Sequence, residues 1–333
     1  MGRDDSCDDV KKVVYSLEGF EFIGVLATLA AGVIFFHYGA ALDRLMGQEN
    51  YHWRMFAVIV GIYARFIPYA IAFGALVVFG VSLRMRRRSK DALKQFVYGL
   101  RIFLAYCLLL IVFRVVNFYV PVLHPGIDDA VIQRIDAFIF GNQVSYLLQP
   151  MASHWLTDLL TGAYVSWFWL LFATIALMLV KRREAASEYL LATLLAFYVG
   201  YVCYVFVPVI GPGYTLHYAV QLGDIAPTFT LSRLQISRDC FPSLHTATTV
   251  LMVIYVARFA RKWLLAYIPM AVLIIFATLY LRIHYGTDDL AGMLLAVLVS
   301  MVTPRLHGWW EVRRRMALPY KHDESQDIAR LTT

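Results

Sequence analysis

A chain of 333 residues that is 60% hydrophobic, 15% aromatic and only 16% charged is not composed for water, because a soluble domain carries closer to a quarter charged residues. The net charge of +7 sits in short basic clusters between apolar runs. That excludes a nucleic-acid footprint and fits a protein oriented in a bilayer. The four cysteines, Cys7, Cys107, Cys203 and Cys240, form no CxxC pair, so neither a disulfide framework nor a zinc site is expected.

The first twelve residues hold Asp4, Asp5, Asp8 and Asp9 beside Arg3, Lys11 and Lys12. This is a poor start for a signal peptide, so the first apolar run is expected to stay as a span. A bilayer core takes about twenty apolar residues per helix. Candidate spans then fall near 20–39, 55–82, 96–119, 156–180, 189–209, 243–259, 263–283 and 288–303. The fold class expected is therefore all-α, a polytopic membrane bundle of about eight transmembrane helices. Three regions follow: N-terminal membrane helices over 1–95, a catalytic membrane domain over 96–304 and a cytoplasmic tail over 305–333.

Basic clusters at 84–90, 181–183, 258–262 and 305–315 all land on one side of these spans. The positive-inside rule makes that side cytoplasmic. The stretches 40–54, 120–155, 210–242 and 284–287 are left on the other side. In 120–155, Val131, Ile132, Ile135, Phe138 and Ile139 recur at helical spacing. They predict a short helix that either lies in the membrane interface or packs on the bundle. The loop 210–242 opens with Ile210-Gly211-Pro212-Gly213-Tyr214, a turn-rich sequence read as the wall of a site.

Two polar clusters interrupt the apolar pattern on that outer side: Cys240-Phe241-Pro242-Ser243-Leu244-His245-Thr246 and, some forty residues on, His284-Tyr285-Gly286-Thr287-Asp288-Asp289. Polar groups at a membrane helix end mark function by default. Pro242 suits a first helical turn, whose orphan N–H groups and dipole favour an anion such as phosphate. Ser243 adds a hydroxyl donor, against the plainer reading of a capping serine, and His245 lies within the same turn. His284 and Asp288 are four apart and share a face on a continuous helix. A carboxylate on one ring nitrogen fixes the tautomer and leaves the other nitrogen nucleophilic. A structural His–Asp pair or half of a metal site, with His217 and His124 on the same side, stays open. Cys240 reads as a small apolar filler rather than a nucleophile. Together the clusters fit covalent phosphoryl transfer: His284 attacks phosphorus, Asp288 orients it and His245 serves as acid and then base.

Pro242-Ser243-Leu244-His245 followed by His284-Tyr285-Gly286-Thr287-Asp288-Asp289-Leu290-Ala291-Gly292 resembles the type 2 phosphatidic acid phosphatase superfamily, and within it the branch containing inositol phosphorylceramide synthase. The resemblance covers 200–300 and implies a phosphatidic acid phosphatase/haloperoxidase-like helical core with a Mg²⁺-independent phosphohistidine mechanism and no cofactor. It implies His284 as nucleophile, Asp288 as its partner and His245 as acid/base. The substrate implied is a phospholipid or lipid phosphate, hydrolysed or transferred as phosphoinositol or a similar head group to a lipid alcohol. The site would face the periplasmic or other extracytoplasmic side, with a bacterial inner membrane as the expected location.

The sequence also departs from that family's pattern. Leu244 stands where the phosphatases carry glycine, Thr278 where the third motif carries arginine, and the cations of the first motif have no counterpart near Val207-Pro208. A transferring phosphoryl group needs clamping charge. Arg282 and Arg238 are the candidates, against the plain readings of an Arg282 reaching to head groups and a solvated Arg238. Arg65 and Arg114 lie within apolar runs: Arg65 is expected to pair inside the bundle, Arg114 lies near the outer end of its span within reach of the head-group site, and neither is read as catalytic. A lipid transporter, or a non-catalytic member of the fold, is the competing class.

Overall fold

The computed structural model describes residues 5–62, 64–65, 89–222 and 237–318. The described residues form helices α1 (Asp5–Ser16), α2 (Gly19–Met46), α3 (51–62), α4 (Ser89–Leu123), α5 (Asp129–Phe140), α6 (Val144–Leu147), α7 (His154–Lys181), α8 (Arg183–Phe206), α9 (Pro212–Thr215), α10 (Leu244–Phe259), α11 (Leu264–Tyr280) and α12 (Gly286–Ala317). Among them no strand occurs, only one isolated parallel bridge between Val209 and Asp239.

Among the described residues, six helical segments are long and apolar enough to cross a membrane: α2, α7, α8, α12, residues 97–123 of α4, and α11 extended back to Arg261. They correspond to six of the eight expected spans. The span at 243–259 is the 16-residue α10. The span at 55–82 and the basic residues 84–88 lie mostly or wholly outside the described residues. Two of the expected region boundaries cut through helices, since 95/96 falls inside α4 and 304/305 inside α12. Past residue 304, α12 is still packed: Trp310 is buried against Tyr15 and Phe22, and its Nε1 donates to the Leu17 carbonyl.

α8 is the central helix. Some 61% of its apolar window is buried inside the protein, against 28–39% for the other spans, because Ala185, Ala186, Ala192 and Ala196 let α10, α12, α2, α4 and α7 approach it closely. The basic end of the bundle is tied by carboxylates at the helix starts. Buried Glu18 takes Arg183 at 2.7 Å and Arg314 at 3.0 Å, joining α2, α8 and α12. Glu21 pairs with Arg101 of α4, and Glu188 with Arg258 of α10. Both histidine clusters lie at the opposite end.

α10 rises only about 24 Å at 1.5 Å per residue, short of the ~30 Å hydrocarbon layer. Its N-terminus lies level with that of α12, whose Asp288 carbonyl accepts the Ser243 N–H, and α5, bonded to the segment 207–211 and to Thr287, covers this junction as a recess. That recess is where the site forms.

Candidate active site

Two helix starts and one helix end meet in the recess. Ser243 is the N-cap of α10: its Oγ accepts the Thr246 N–H, and its own N–H donates to the Asp288 carbonyl at 3.0 Å. α12 crosses α10 in close contact at Gly292, where a Cβ would collide with the Ser243 carbonyl oxygen and come within 3.3 Å of the Ala247 nitrogen. Asp289, buried in α12's first turn, accepts from Thr246 of α10 at 2.6 Å and from Thr278 of α11 at 2.9 Å. One carboxylate thus staples three helices, and Thr278, at the expected third-motif arginine position, is one of its partners.

These contacts bring the two imidazoles together. The His245 and His284 ring centroids are 5.6 Å apart, with His245 Nδ1 3.3 Å from His284 Nε2. His245 is held between the rings of Tyr164 and Trp167 of α7, 4.8 and 4.6 Å away, and Trp167 is itself fixed by a bond to Thr248. On the other side of His284, Asp288 Oδ2 stands 3.6 Å from Nδ1. That is an ion-pair distance rather than a hydrogen bond. The same Oδ2 accepts the Tyr285 N–H at 2.9 Å.

The expected sharing of one helix face by His284 and Asp288 needs correcting. α12 begins at Gly286, so His284 sits in the turn before it, its N–H bonded to the Thr278 carbonyl at 3.1 Å. Pro242 likewise precedes the N-cap, after a cis Phe241–Pro242 peptide, rather than occupying the first helical turn. Burial holds His284's affinity for a proton below the ordinary imidazole level, partly offset by the carboxylates of Asp289 and Asp239. A neutral ring with an available Nε2 is the form a nucleophile requires.

The three residues expected to bind phosphate have other partners. Ser243 is fully buried, its Oγ directed to Thr246 Oγ1 at 3.2 Å, so the plainer capping reading describes its contacts. Arg238 is buried rather than solvated, because Nη1 donates to three carbonyls, those of His124, Pro125 and Gly126. Arg282 does not reach outward to head groups: its guanidinium lies 3.7 Å from the Tyr218 ring centroid and donates to the Val220 carbonyl. Leu244, in place of the family glycine, projects into the groove left by Gly200 of α8, where a Cβ would meet its side chain at 2.7 Å.

Sequence reasoning missed the carboxylates of α5. Asp129 accepts from the Ile210 and Gly211 N–H groups and from the Tyr285 hydroxyl, at 2.9–3.0 Å. Asp136 accepts from the Thr287 N–H and hydroxyl at 2.7 and 2.8 Å, capping α12. Asp129, Gln133 and Asp136 lie on one face at spacings of four and three, a readable polar stripe. The expected apolar face splits: Ile132 turns inward, while Val131, Ile135 and Ile139 face out and Phe138 is 90% exposed. α5 thus packs on the bundle by its carboxylates and shows its apolar side to the surroundings. Sequence spacing also hid a donor cluster, since Cys240 Sγ, a His284 nitrogen and an Asp288 oxygen lie within 4.8 Å of one another.

With this geometry in place, the comparisons with known proteins can be read. The model of the PAP2 superfamily matches residues 130–302. The chain belongs to the PAP2 superfamily. The match starts well before the 200–300 covered by the motifs, so α5, α6 and α7 are part of the family core. No curated protein and no solved structure matches the chain. A PAP2 domain within a bundle of apolar helices makes this a membrane protein of phosphatase type.

Proposed function

We propose that this PAP2 protein is a lipid phosphatase/phosphotransferase working through a phosphohistidine on His284. The observation that carries the reading is the convergence of three groups from separate motifs: His245 Nδ1 at 3.3 Å from one ring nitrogen of His284, and Asp288 at 3.6 Å from the other. Asp288 favours the tautomer with the proton on Nδ1, leaving the Nε2 lone pair for phosphorus. The N–P bond forms as the bond to the leaving alkoxide breaks, and His245 gives that oxygen its proton. In the second half His245 takes the proton from the acceptor hydroxyl, whose oxygen displaces His284 from phosphorus. Side-chain contacts of this kind lengthen in the free enzyme and tighten on substrate.

Arg282 is assigned the role of phosphate clamp over Arg238. It gives up one carbonyl bond and one ring contact to swing, whereas Arg238 gives up three carbonyls. A phosphate carries charge and can take a guanidinium bidentately, so it is a better partner than the single neutral carbonyl it replaces.

Transfer of a phosphoinositol-type head group to a lipid alcohol, as in the inositol phosphorylceramide synthase branch, is the finer reading. The burial of His284 at 3% exposure and of Asp288 at 0% supports it, since a site that excludes water favours an alcohol acceptor. The site is assigned to the extracytoplasmic side, because it lies at the bundle end opposite Arg183, Arg258 and Arg314. The test is thin-layer analysis of purified protein given labelled phosphatidylinositol or phosphatidic acid together with a ceramide or diacylglycerol. A labelled lipid product means transfer, and free phosphate or inositol phosphate means hydrolysis. No product from any donor, or unchanged turnover in His284→Ala, overturns the enzyme reading in favour of a transporter or non-catalytic member.

A further inference from the structure

Cys240 has no part in phosphoryl transfer, yet its thiol forms a donor cluster with the two residues that do, His284 and Asp288. Cys240 Sγ, His284 and Asp288 are all buried, their donor atoms within 4.8 Å of one another. Two of those side chains carry an atom without a hydrogen-bond partner among the described residues, His284 Nδ1 and Asp288 Oδ1. The third makes only a weak contact, from Cys240 Sγ to the Ile283 carbonyl at 3.4 Å. Buried polar atoms left unpartnered are rare and ask for an occupant.

The space and the backbone fit one. Three corners no more than 4.8 Å apart share a centre within ~2.8 Å of each, so closing by about half an ångström reaches the bond lengths of zinc to sulfur, imidazole and carboxylate. The backbone holds Cys240 in place, because its N–H donates to the Val209 carbonyl at 3.1 Å. Gly211 lets the neighbouring strand of chain come near, since a Cβ there would stand 2.9 Å from Cys240 Sγ. Asp288 is fixed in the first turn of α12. A thiolate, an imidazole and a carboxylate form a donor set for borderline and soft divalent cations rather than for Mg²⁺ or Ca²⁺.

We propose that Cys240, His284 Nδ1 and Asp288 form an inhibitory site for a thiophilic divalent cation of the Zn²⁺ and Cd²⁺ class, whose binding silences the nucleophile. The metal takes the sulfur as thiolate, so binding releases the thiol proton to solvent, with no change of oxidation state. A cation on Nδ1 takes the place of the ring proton, occupies the Asp288 carboxylate and draws electron density from the ring. Nε2 then attacks phosphorus poorly, and the positive charge of a phosphohistidine meets a dication instead of a carboxylate. The inhibition, though not the binding, rests on His284 being the nucleophile.

Chelator-treated protein in detergent is titrated with Cd²⁺, following the ultraviolet charge-transfer band of a Cd–thiolate bond, with Zn²⁺ as competitor. Three proteins are compared: wild type, Cys240→Ser, and a variant keeping Cys240 but lacking Cys7, Cys107 and Cys203. The expected result is one saturable band that Zn²⁺ displaces, retained by the Cys240-only protein and at least about tenfold weaker in Cys240→Ser. Relative to its own metal-free rate, Cys240→Ser is expected to need at least about tenfold more Zn²⁺ for half-inhibition. A missing band in the Cys240-only protein, or equal affinity in Cys240→Ser, overturns the site. A Cys240-dependent band with undiminished turnover in the Cd²⁺-loaded protein leaves the site standing, and overturns both the inhibition and the assignment of His284 as nucleophile.

Discussion

His284 is poised between burial and two nearby carboxylates, which act oppositely on its proton. Burial lowers its basicity, while the carboxylates of Asp289 and Asp239 partly restore it, and the balance lies below an ordinary imidazole. Because the attacking form is neutral, acidification removes activity only once the ring is protonated. The acid limb of kcat/KM is therefore expected below the usual histidine range. Asp239→Asn removes a charge that favours the imidazolium, so the limb is expected to move further toward low pH, and a shift upward would contradict the account. His245→Ala is expected to lose about 10²–10⁴-fold in kcat, the usual worth of a positioned acid or base. For Arg282 the clean replacement is glycine. Its backbone is left-handed at φ 63°, so Arg282→Gly removes the guanidinium and relieves strain of about 1–3 kcal/mol. Raised KM with unimpaired thermal stability is expected, and unchanged KM would remove Arg282 from the phosphate site. At this scale the residue types were legible in the sequence, because charge at a membrane helix end stands out. Their partners were not: Arg238 and Ser243 read equally well as ligands or as structural donors until the carbonyls around them were in view.

The helix starts are what convert these residues into a site. α10 and α12 meet at Gly292, and a side chain there must push the Ser243 turn away. Gly292→Leu is expected to separate His245 from His284 and abolish turnover, and the loss of any His245 effect in the Gly292→Leu background would report that uncoupling. Asp136 is the cap of α12, fully buried and accepting both the N–H and the hydroxyl of Thr287. Its replacement by alanine leaves buried donors unpaired, at about 1.5–3 kcal/mol. Thermal unfolding in detergent should show Asp136→Ala well below Asp136→Asn, which keeps an acceptor, and equal midpoints would deny the cap. The apolar runs made most helices legible. The shared face of His284 and Asp288 was not decidable from spacing, since an i, i+4 His–Asp pair reads as helical whether or not the first member is still in the turn. α5 was legible as a helix, but its orientation was not. Five apolar residues outweighed Asp129 and Asp136 in the pattern, and only the bonds to Tyr285 and Thr287 show which side faces the protein.

Among the described residues, the ion pairs of Glu18, Glu21 and Glu188 with arginines lie at one end of the bundle and the candidate site at the other. The buried carboxylate of Glu18 gathers Arg183 and Arg314 where three helices begin or end. Both arginines can turn to water on its loss, so Glu18→Ala is expected to cost only about 1–2 kcal/mol and to leave the site's kinetics unaltered. The orientation itself is open to labelling with a membrane-impermeant maleimide in intact cells. Cysteine placed at exposed Asn142, beside the site, is expected to react, and cysteine at exposed Lys262, at the basic end, is expected to be protected until the membrane is opened. The reverse pattern would place the site in the cytoplasm. Bundle class was legible because hydropathy is a property of composition along the chain. The recess was not legible: it forms where the Ser243 turn bonds to Asp288 and α5 bonds to Thr287, contacts between separate segments that no span count contains.

The proposed function turns on a covalent bond between phosphorus and His284 Nε2, and the most direct measurement is to trap it. Wild-type protein and the His245→Ala and His284→Ala variants would be mixed with phosphorus-labelled lipid donor, quenched in base and digested. The account predicts an acid-labile, base-stable label on the peptide carrying His284. That label should persist longest in His245→Ala, where the second half-reaction stalls, and be absent in His284→Ala. Turnover without any such adduct, or a label that survives in His284→Ala, would contradict it.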